Sequence, residues 1–307
     1  MTHYLVTGAS GLLGLNFAFR AAAEHKVTGV VNQHVLKAVP FDVVQADLTE
    51  PGGISNLLDR IKPDVIVHCA AQANLEICEN NPDQAYQINA WLPGEMAREA
   101  FQRTIKLVHI STDAVFSGVK SDFKEEDPTH PLSVYARSKL AGEQAVLAAD
   151  PDAAIARVNF YGWSMTGKRS LAEFFYNRLA QNLPVNGFTD MFFCPLLVND
   201  LADILMEMVR HNLSGVYHAV SRECLSKYAF GCAIADQFGL DRNLITPISV
   251  NQGGLNAPRS HRLCLNSDKL AQALGKPLPD QASGIHHFFE LFQSGYPQKL
   301  KEFAADL

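Results

Sequence analysis

The stretch from Tyr4 to Gly14 reads YLVTGASGLLG, and it decides the fold of this chain. Its apolar start, Tyr4–Val6, predicts a short buried strand, and an apolar helical pattern follows the last glycine. Gly8 can adopt a backbone conformation that other residues avoid. Gly11 admits phosphate close to the main chain, and Gly14 lets the helix lie close to the strand. Since a helix N-terminus also offers free N–H groups and a partial positive charge, this stretch predicts a diphosphate site.

Short apolar strands alternate with helical patterns through the first half of the chain. The runs DVIVHCAA (Asp64–Ala71) and IKLVHIS (Ile105–Ser111) are apolar without alternation, which is typical of strands buried on both faces of a parallel sheet. The sequence therefore predicts an α/β fold with a doubly wound parallel sheet of the Rossmann type. Other strands are predicted over 26–32, near 45 and over 153–158, and helices over 54–61, 82–101 and 133–149.

The pattern loosens beyond Gly162, where longer loops separate the elements. Helices are predicted over 171–181, 198–212, 227–238, 267–274 and 285–292, and strands over 215–220 and 244–250. We expect a dinucleotide-binding domain at residues 1–162. A smaller substrate-binding lobe at residues 163–307 would be partly interleaved with it and would close over the cofactor.

Composition excludes several classes of protein. The length of 307 residues allows one large α/β domain with a smaller lobe. A net charge of -6 argues against a nucleic-acid binder or a membrane-surface protein, since both need a basic face. No apolar run reaches the roughly 18 residues that a membrane span needs, and Met1–Val6 enters the first strand without a signal-peptide pattern. We therefore expect a cytoplasmic protein.

Cysteine and histidine spacing predicts no metal site. The six cysteines are scattered, without a C-x-x-C pair: Cys69, Cys78, Cys194, Cys224, Cys232 and Cys264. We expect them to be buried thiols in a reducing compartment, without a disulfide framework. Among the eleven histidines no spacing is typical of a ligand set, and His286 and His287 are expected at the surface and edge of a helix.

The second informative segment is SVYARSKLAGE, from Ser133 to Glu143. Tyr135 and Lys139 are four residues apart on a predicted helix, so their side chains share one face. An ammonium near a phenol lowers the pKa of the phenol, which makes it a proton donor or acceptor near neutral pH. Upstream, Ser111 and Thr112 follow a buried strand, where a hydroxyl would reach a substrate carbonyl that the phenol protonates.

Together these segments resemble the extended short-chain dehydrogenase/reductase family over nearly the whole chain. Thr7–Gly14 is similar to the family turn T-G-x-x-G-x-x-G, ADL (Ala46–Leu48) to its D-[LV] element, and HCAA (His68–Ala71) to its [NH]-x-A-A segment. Asn89 resembles the asparagine of the family V-N segment. Expected cofactor contacts are Gly8, Ser10, Gly11, Leu12, Gly14, Asn32, Asp47, Leu48, Cys69, Ala70, Ala71, Asn89, Tyr135 and Lys139.

Within that family, three segments resemble the dTDP-4-dehydrorhamnose reductase branch. They are HISTDAVFSG (109–118), EEDPTHPLSVYARSKLAGE (125–143) and APRSHRLCLNSDKL (257–270). The resemblance implies hydride transfer from a nicotinamide to C4 of a nucleotide-linked 4-keto sugar. Thr112, and not Ser111, would polarise the carbonyl, Tyr135 would donate the proton, and Lys139 would hold the nicotinamide ribose. Expected substrate contacts are Thr112, Asp113, Asn159, Phe160 and Trp163.

Two departures concern the substrate, and one segment concerns the cofactor. Ser117 stands where this branch often has aspartate, and Ala136 where it usually has glycine. NAD binders place an acidic residue after the second strand, whereas Asn32–His34 reads NQH. No carboxylate there repels a 2′-phosphate, although no arginine there binds one. We expect NADP as cofactor, with NAD as the alternative.

Two other functions are compatible with these motifs. One is a sugar-nucleotide epimerase of the same fold, which would keep its cofactor tightly bound. The other is a non-catalytic, dinucleotide-binding regulatory subunit, because HPLSVYARSKLAGEQAVL (130–147) also resembles the β subunit of methionine adenosyltransferase. The intact triad favours an enzyme, and a homodimer is a further expectation from the family.

Overall fold

The computed structural model describes residues 1–254 and 258–304. The strands in these ranges are β1 (His3–Thr7), β2 (Lys26–Val31), β3 (Asp42–Gln45), β4 (Val65–His68), β5 (Lys106–Thr112), β6 (Ala154–Val158), β7 (Phe160–Tyr161), β8 (Val185–Phe188), β9 (Phe192–Phe193), β10 (Leu196–Leu197), β11 (Gly215–Ala219), β12 (Leu225–Ser226), β13 (Ile245–Ile248) and β14 (Arg262–Leu263). The segment 257–270 noted in the sequence lies partly outside the described residues.

The helices in the same ranges are α1 (Leu12–Ala21), α2 (Gly53–Ile61), α3 (Leu75–Asn80), α4 (Pro82–Tyr86), α5 (Leu92–Gln102), α6 (Val134–Ala149), α7 (Leu171–Ala180), α8 (Val198–Arg210), α9 (Lys227–Phe238), α10 (Asp268–Leu274), α11 (Gln281–Gln293) and α12 (Tyr296–Glu302). No helix of the described chain is both long enough and apolar enough to cross a membrane.

Seven of the described strands form one parallel sheet, in the order β3-β2-β1-β4-β5-β6-β11. The prediction of a doubly wound α/β fold is confirmed. Strand order reverses at β1, which lies between β2 and β4. Because ligands of such sheets bind at the point of reversal, beyond the carboxyl ends of the strands, the turn after β1 occupies the expected place.

Helices cover both faces of this sheet, so its central strands are apolar on both sides. On one face Phe17 of α1 packs with Leu205 of α8 and Leu270 of α10. On the other face Met96 of α5 packs with Leu58 of α2 and with α6. The buried runs noted in the sequence, β4 and β5, lie in the middle of this sandwich.

The chain beyond residue 162 builds a second hydrophobic cluster and also returns to the sheet. Phe175 of α7, Phe230 of α9 and Phe288 of α11 share the second cluster. In contrast, β11 pairs with β6 in the main sheet, and α8 packs on α1. Elements from beyond residue 162 thus pack on the first half, and the expected division at residue 162 into a dinucleotide-binding domain and a partly interleaved lobe stays a prediction.

The helix expected over 82–101 is divided by a π-helical turn at Gln87–Trp91. The π-helical turn packs closely against α6 because Gly142 of α6 has no side chain. A Cβ on Gly142 would lie 2.1 Å from the carbonyl oxygen of Asn89. The turn therefore places Asn89 between α6 and the loop after β4. An apolar spacing does not reveal such a turn, because one inserted residue disturbs the pattern little.

The expectation of free cysteines is wrong for one pair, since Cys224 and Cys264 form a disulfide. Cys224 directly precedes β12 and Cys264 directly follows β14, and both strands pair with β9 at Phe193. Both cysteines thus leave the small sheet at the same end, with their Cα atoms 5.4 Å apart. They are 40 residues apart in sequence, so spacing alone gave no signal. Cys69, Cys78, Cys194 and Cys232 are free thiols.

Candidate active site

The glycine turn after β1 is tightly built. Gly8 has a φ of +65°, and a Cβ there would lie 2.9 Å from backbone atoms of Ala70. The N–H of Gly11 donates to the carbonyl of Gly8 at 2.8 Å. A Cβ on Gly14 would lie 2.2 Å from that same carbonyl oxygen, so α1 can begin here only with glycine at this position. No side chain caps the N-terminus of α1, which leaves its first N–H groups for a ligand.

A cavity of about 730 Å³ opens above this turn, at the carboxyl ends of β1, β2 and β4. Gly8, Ser10 and Gly11 form its floor. The residues expected at the two ends of a dinucleotide also line it: Asn32, Asp47 and Leu48 after β2 and β3, and Cys69, Ala70 and Ala71 after β4. The structure thus brings nine of the expected cofactor contacts to one cavity.

Three other expected contacts support this cavity without lining it. Leu12 packs into the core under α1, and Gly14 faces the turn. Asn89 is fully buried; its side chain accepts from the N–H of Gln72 at 2.9 Å and donates to the carbonyl of Gln72 at 3.0 Å. It also donates to Ser138 Oγ at 3.0 Å. Asn89 therefore holds the loop after β4 in place from behind.

Buried polar groups fix the same loop from below. The Thr7 hydroxyl contacts His68 Nδ1 at 2.8 Å and accepts from the N–H of Ala70 at 3.2 Å. Burial lowers the pKa of His68 to about 3, so it stays neutral, and its ring stacks on His109. The glycine cradle, the free helix N-terminus and the cavity size fit an extended dinucleotide.

The residues expected to do chemistry meet in a neighbouring cavity of about 210 Å³. Thr112, Asp113 and Tyr135 line it together. The Thr112 hydroxyl accepts from the N–H of Ala114 at 3.2 Å and contacts Asp113 Oδ1 at 3.1 Å. Thr112 lies close enough to Tyr135 for its hydroxyl to lower the pKa of the phenol. The phenol is therefore within reach of the threonine and faces the crevice.

The expected lowering of the Tyr135 pKa is wrong for this arrangement. Burial raises the pKa of Tyr135 to about 12, and the nearby Thr112 hydroxyl only partly opposes this rise. The nearby carboxyl of Asp113 adds to the rise. Lys139 does not offset these effects, because its ammonium is engaged elsewhere. At neutral pH Tyr135 keeps its proton, which suits a proton donor.

Lys139 lies one helical turn after Tyr135, and its side chain extends to β5. Its Nζ donates to the carbonyl of Ile110 at 2.6 Å and lies 3.3 Å from His109 Nε2. Burial lowers the pKa of Lys139 to about 8, while Glu143 opposes this. Burial and Lys139 together lower the pKa of His109 well below its ordinary value. Lys139 lines neither cavity in this structure.

A buried ion pair holds α6 against the strands that carry Thr112. Glu143 of α6 binds Arg157 of β6, with Nη2 and Oε2 2.8 Å apart. The Ser111 hydroxyl of β5 donates to Glu143 Oε1 at 2.5 Å. Ser111 thus serves the framework, and Thr112, one residue later, faces the opposite way into the cavity. The Ser133 hydroxyl caps α6 by accepting from the N–H of Ala136.

Of the other three expected substrate contacts, one approaches the cavity and two do not. Asn159 Nδ2 donates to Asp113 Oδ2 at 2.6 Å. Phe160 of β7 packs against the core cluster of α1 and α8. Trp163 was expected near the sugar, but its ring is 3% exposed and stacks on Phe288, to whose carbonyl its indole N–H donates. Trp163 lies in the core because it packs against α11. No local sequence pattern links Trp163 to that helix.

The sequence did not single out several residues on the far wall of this cavity. Lys227, at the start of α9, faces Asp113, and burial lowers its pKa while Asp113 opposes this. Arg259 lies beside it and contacts Glu76 at 3.5 Å. Arg259 belongs to the segment 257–270, which was singled out in the sequence by its family resemblance. Lys227 was marked only as the first residue of a predicted helix, which gave no indication of a site. Met191 and Leu263 add apolar surface.

The remaining ionisable groups of the described residues form no metal site. Within the described ranges, no three or more side chains of the ligating types lie close enough to hold an ion. His286 contacts Glu290 of its own helix at the surface. His287 lies at the edge of α11, where its Nδ1 is 2.7 Å from Asp200 and that carboxylate raises its pKa.

Comparison with known proteins gives one consistent family. The model of the RmlD substrate binding domain matches residues 2–294. A dTDP-4-dehydrorhamnose reductase of Mycobacterium tuberculosis is 34% identical over 288 residues, which cover 92% of this chain and 90% of that protein. The methionine adenosyltransferase 2 subunit beta of Pongo abelii is 32% identical over 281 residues, which cover 87% of this chain and 80% of that protein.

A solved structure agrees with these sequences. The crystal structure of dTDP-4-dehydrorhamnose reductase from Bacillus anthracis in complex with NADP superposes with a TM-score of 0.81. It is 25% identical to this chain, and the match covers 94% of this chain and 99% of that one. The similarity therefore extends over nearly the whole chain and not only over the dinucleotide half.

Proposed function

This chain belongs to the RmlD substrate binding domain family, and on that premise we propose that it is an oxidoreductase that reduces the 4-keto group of a nucleotide-linked sugar. The observation that carries the proposal is the meeting of Thr112, Asp113 and Tyr135 in one crevice beside the glycine-turn cavity. Dehydrorhamnose reductases are among its relatives at 34% identity. The substrate class follows from them, and the residue roles follow from the geometry.

The roles of the side chains follow from their protonation states. A bound reduced nicotinamide dinucleotide would supply the hydride. Thr112 would turn its O–H from Asp113 to the keto oxygen, and Tyr135 would hand over its proton as charge develops there. Because the pKa of Tyr135 is about 12, the phenol is protonated at every working pH before that moment. Lys139 would turn from the Ile110 carbonyl to position the cofactor ribose.

We propose NADP as the cofactor, with NAD as the alternative. The segment after β2, Asn32–His34, carries no carboxylate that would repel a 2′-phosphate. The Bacillus anthracis relative was crystallised with NADP. On the substrate side, Lys227 and Arg259 line the crevice and would complement a nucleotide diphosphate. A homodimer and a cytoplasmic location stay predictions, which sedimentation and fractionation would measure.

The test is the replacement of Tyr135 by phenylalanine. Turnover with a dTDP-linked 4-keto sugar and NADPH should fall by about 10² to 10⁴, since one general acid is lost. NADPH affinity, measured by fluorescence, should stay within about twofold because the phenol oxygen is not needed to bind the dinucleotide. Tyr86→Phe is the matched control, because Tyr86 is exposed and lines neither cavity. A Tyr135→Phe enzyme that keeps more than a tenth of the parental rate would refute the assignment.

A regulatory subunit is the second candidate, which the 32% identity to methionine adenosyltransferase 2 subunit beta favours. Such a protein would bind dinucleotide and a partner enzyme without turnover. Oxidation of NADPH by the parent chain with a 4-keto sugar nucleotide supports the reductase. Absence of oxidation, together with capture of an adenosyltransferase, supports the subunit. An epimerase would instead show absorbance of a cofactor that copurifies with the protein.

A further inference from the structure

The dinucleotide cavity contains one strongly basic side chain, and it comes from the C-terminal part of the chain. Among the described residues that line the cavity, Arg169 is the single arginine or lysine. It lies in the loop between β7 and α7. Within residues 1–254 and 258–304, its guanidinium makes no hydrogen bond or ion pair. An exposed cation on a cavity wall, without a protein partner, is available to an anionic ligand.

A buried carboxylate holds this loop rigidly. Glu173 is fully buried and accepts from the N–H of Ser164 at 2.6 Å and from the N–H of Arg169 at 2.9 Å. It also accepts from the N–H of Ser170 at 3.1 Å. In return the Ser170 hydroxyl accepts from the N–H of Glu173 and donates to the carbonyl of Gly162. The backbone of Arg169 is therefore fixed, and only its side chain has freedom.

The same loop and the segment that follows β2 both contact the C-terminal end of the described chain. A Cβ on Gly167 would lie 3.8 Å from Lys301 Cε in α12. Two residues further along, Phe303 accepts from the N–H of Lys37 at 3.0 Å. The loop and the segment after β2 are thus connected through residues 301–303, and Arg169 and Asn32–His34 line the same cavity. In dinucleotide-binding sheets the adenosine ribose lies against that segment.

The distribution of positive charge in the cavity indicates which phosphate of NADP Arg169 binds, the diphosphate or the 2′-phosphate. The diphosphate is served by the glycine turn and the free N-terminus of α1. The 2′-phosphate is a near-dianion, and Asn32–His34 offers it no arginine or lysine. We infer that Arg169 binds the 2′-phosphate of NADP, so that the C-terminal lobe provides the cation that the segment after β2 lacks. A planar guanidinium can form two parallel hydrogen bonds to one phosphate. This inference rests on the proposed use of NADP.

The test compares Arg169→Gln with Lys168→Gln, a neighbouring exposed cation that does not line the cavity. Binding is measured by fluorescence with NADPH and with NADH, without any sugar substrate. For Arg169→Gln the NADPH affinity should fall about 10- to 100-fold, as expected for a lost charge-assisted contact. The NADH affinity should change less than about threefold, since NADH lacks the phosphate. Lys168→Gln should change neither, and Arg169→Lys should recover part of the loss.

Adenosine 2′,5′-bisphosphate and AMP serve as a second pair of probes, because neither carries a diphosphate. Arg169→Gln should weaken the bisphosphate alone. Equal losses for NADPH and NADH would place the arginine on the diphosphate and overturn the inference, as would no loss for either. Equal parental affinity for the two cofactors would also overturn it. If the NADPH-specific loss is found but no keto sugar is reduced, the proposed reaction fails and the inference about Arg169 stands.

Discussion

Asp113 is buried between two groups that hydrogen-bond it, the Thr112 hydroxyl and the Asn159 amide. Burial raises the pKa of Asp113 to about 6, although both hydrogen bonds oppose the rise. Asp113 therefore changes charge within the working range of pH. When the Asp113 carboxylate is ionised, it accepts from the Thr112 hydroxyl and fixes its orientation. When it is protonated, its own O–H competes with that hydroxyl as a hydrogen-bond donor.

We expect an acid limb in kcat/KM that follows Asp113. Activity should fall as pH drops through about 6, because protonation removes the acceptor that orients Thr112. In the Asp113→Asn variant the acid limb of the kcat/KM profile should disappear, and kcat/KM at high pH should be lower than that of the parent protein. A pH profile of both proteins from pH 5 to 9 is the measurement. A limb at the same pH in the variant would assign it to another group.

At this scale the sequence predicted that Thr112, Asp113 and Tyr135 meet, but not their energetics. The four-residue spacing placed Tyr135 and Lys139 on one face of a helix. The pKa of Tyr135 depends on burial and on the turn of Lys139 toward Ile110, which are both products of tertiary structure. Trp163 was read as a ligand contact because a strand end is a usual place for one. Only the position of α11 shows that it belongs to the core.

Among the elements, the glycine turn was predictable because its signal is local, whereas the π turn at 87–91 was not. Besides Gly8, the turn carries glycine at two further places, for different reasons. A Cβ on Gly11 would meet one atom, the carbonyl oxygen of Gly8, at 3.1 Å, and would otherwise stand at the cavity. A Cβ on Gly14 would lie 2.2 Å from the same oxygen, so α1 itself would have to move.

Alanine at these two positions should therefore have separable effects. Gly11→Ala should keep nearly the parental melting temperature and lose most dinucleotide affinity, since the methyl group occupies ligand space. Gly14→Ala should lose about 1–3 kcal/mol of unfolding free energy, the usual cost of overpacking, and dinucleotide affinity as well. Calorimetry and fluorescence titration measure the two quantities. A strong loss of stability in Gly11→Ala would contradict this division.

Across the whole molecule, three buried histidines make stability depend on pH. Burial is the largest cause of the lowered pKa of His68 and of His218, each to about 3, and of His109. The unfolded chain binds these protons near pH 6.5, so this stability is complete above that value and is lost as pH falls below it. Asp113, with its raised pKa, acts in the opposite direction between its ordinary value and about 6.

We expect the free energy of unfolding to fall between pH 6.5 and pH 4. Replacing His218 with glutamine should reduce this dependence by up to about 1.4 kcal/mol per pH unit, the value of one proton. His211→Gln is the control, because His211 is exposed. Urea titrations at several pH values measure the slope. A variant with the parental slope would show that His218 is charged in the folded protein.

The two halves are joined by contacts that no local pattern could predict. Asn16 of α1 donates to the carbonyl of Trp163 and accepts from the Tyr296 hydroxyl, which in turn contacts Asn199 of α8. The sequence predicted a lobe that is partly interleaved with the first domain, because strands continue beyond residue 162. The partner of each returning element depends on long-range pairing, as does the disulfide.

The return of β11 to the main sheet has a consequence during synthesis on the ribosome. Among the described strands, β11 alone pairs with the outer side of β6. As the chain is translated, β6 emerges well before β11. The edge of β6 that will pair with β11 stays open while the intervening helices are made. An open strand edge is a surface that chaperones cover and that misassembly exploits. Rapid elongation between residues 158 and 219 would therefore protect the nascent protein from aggregation.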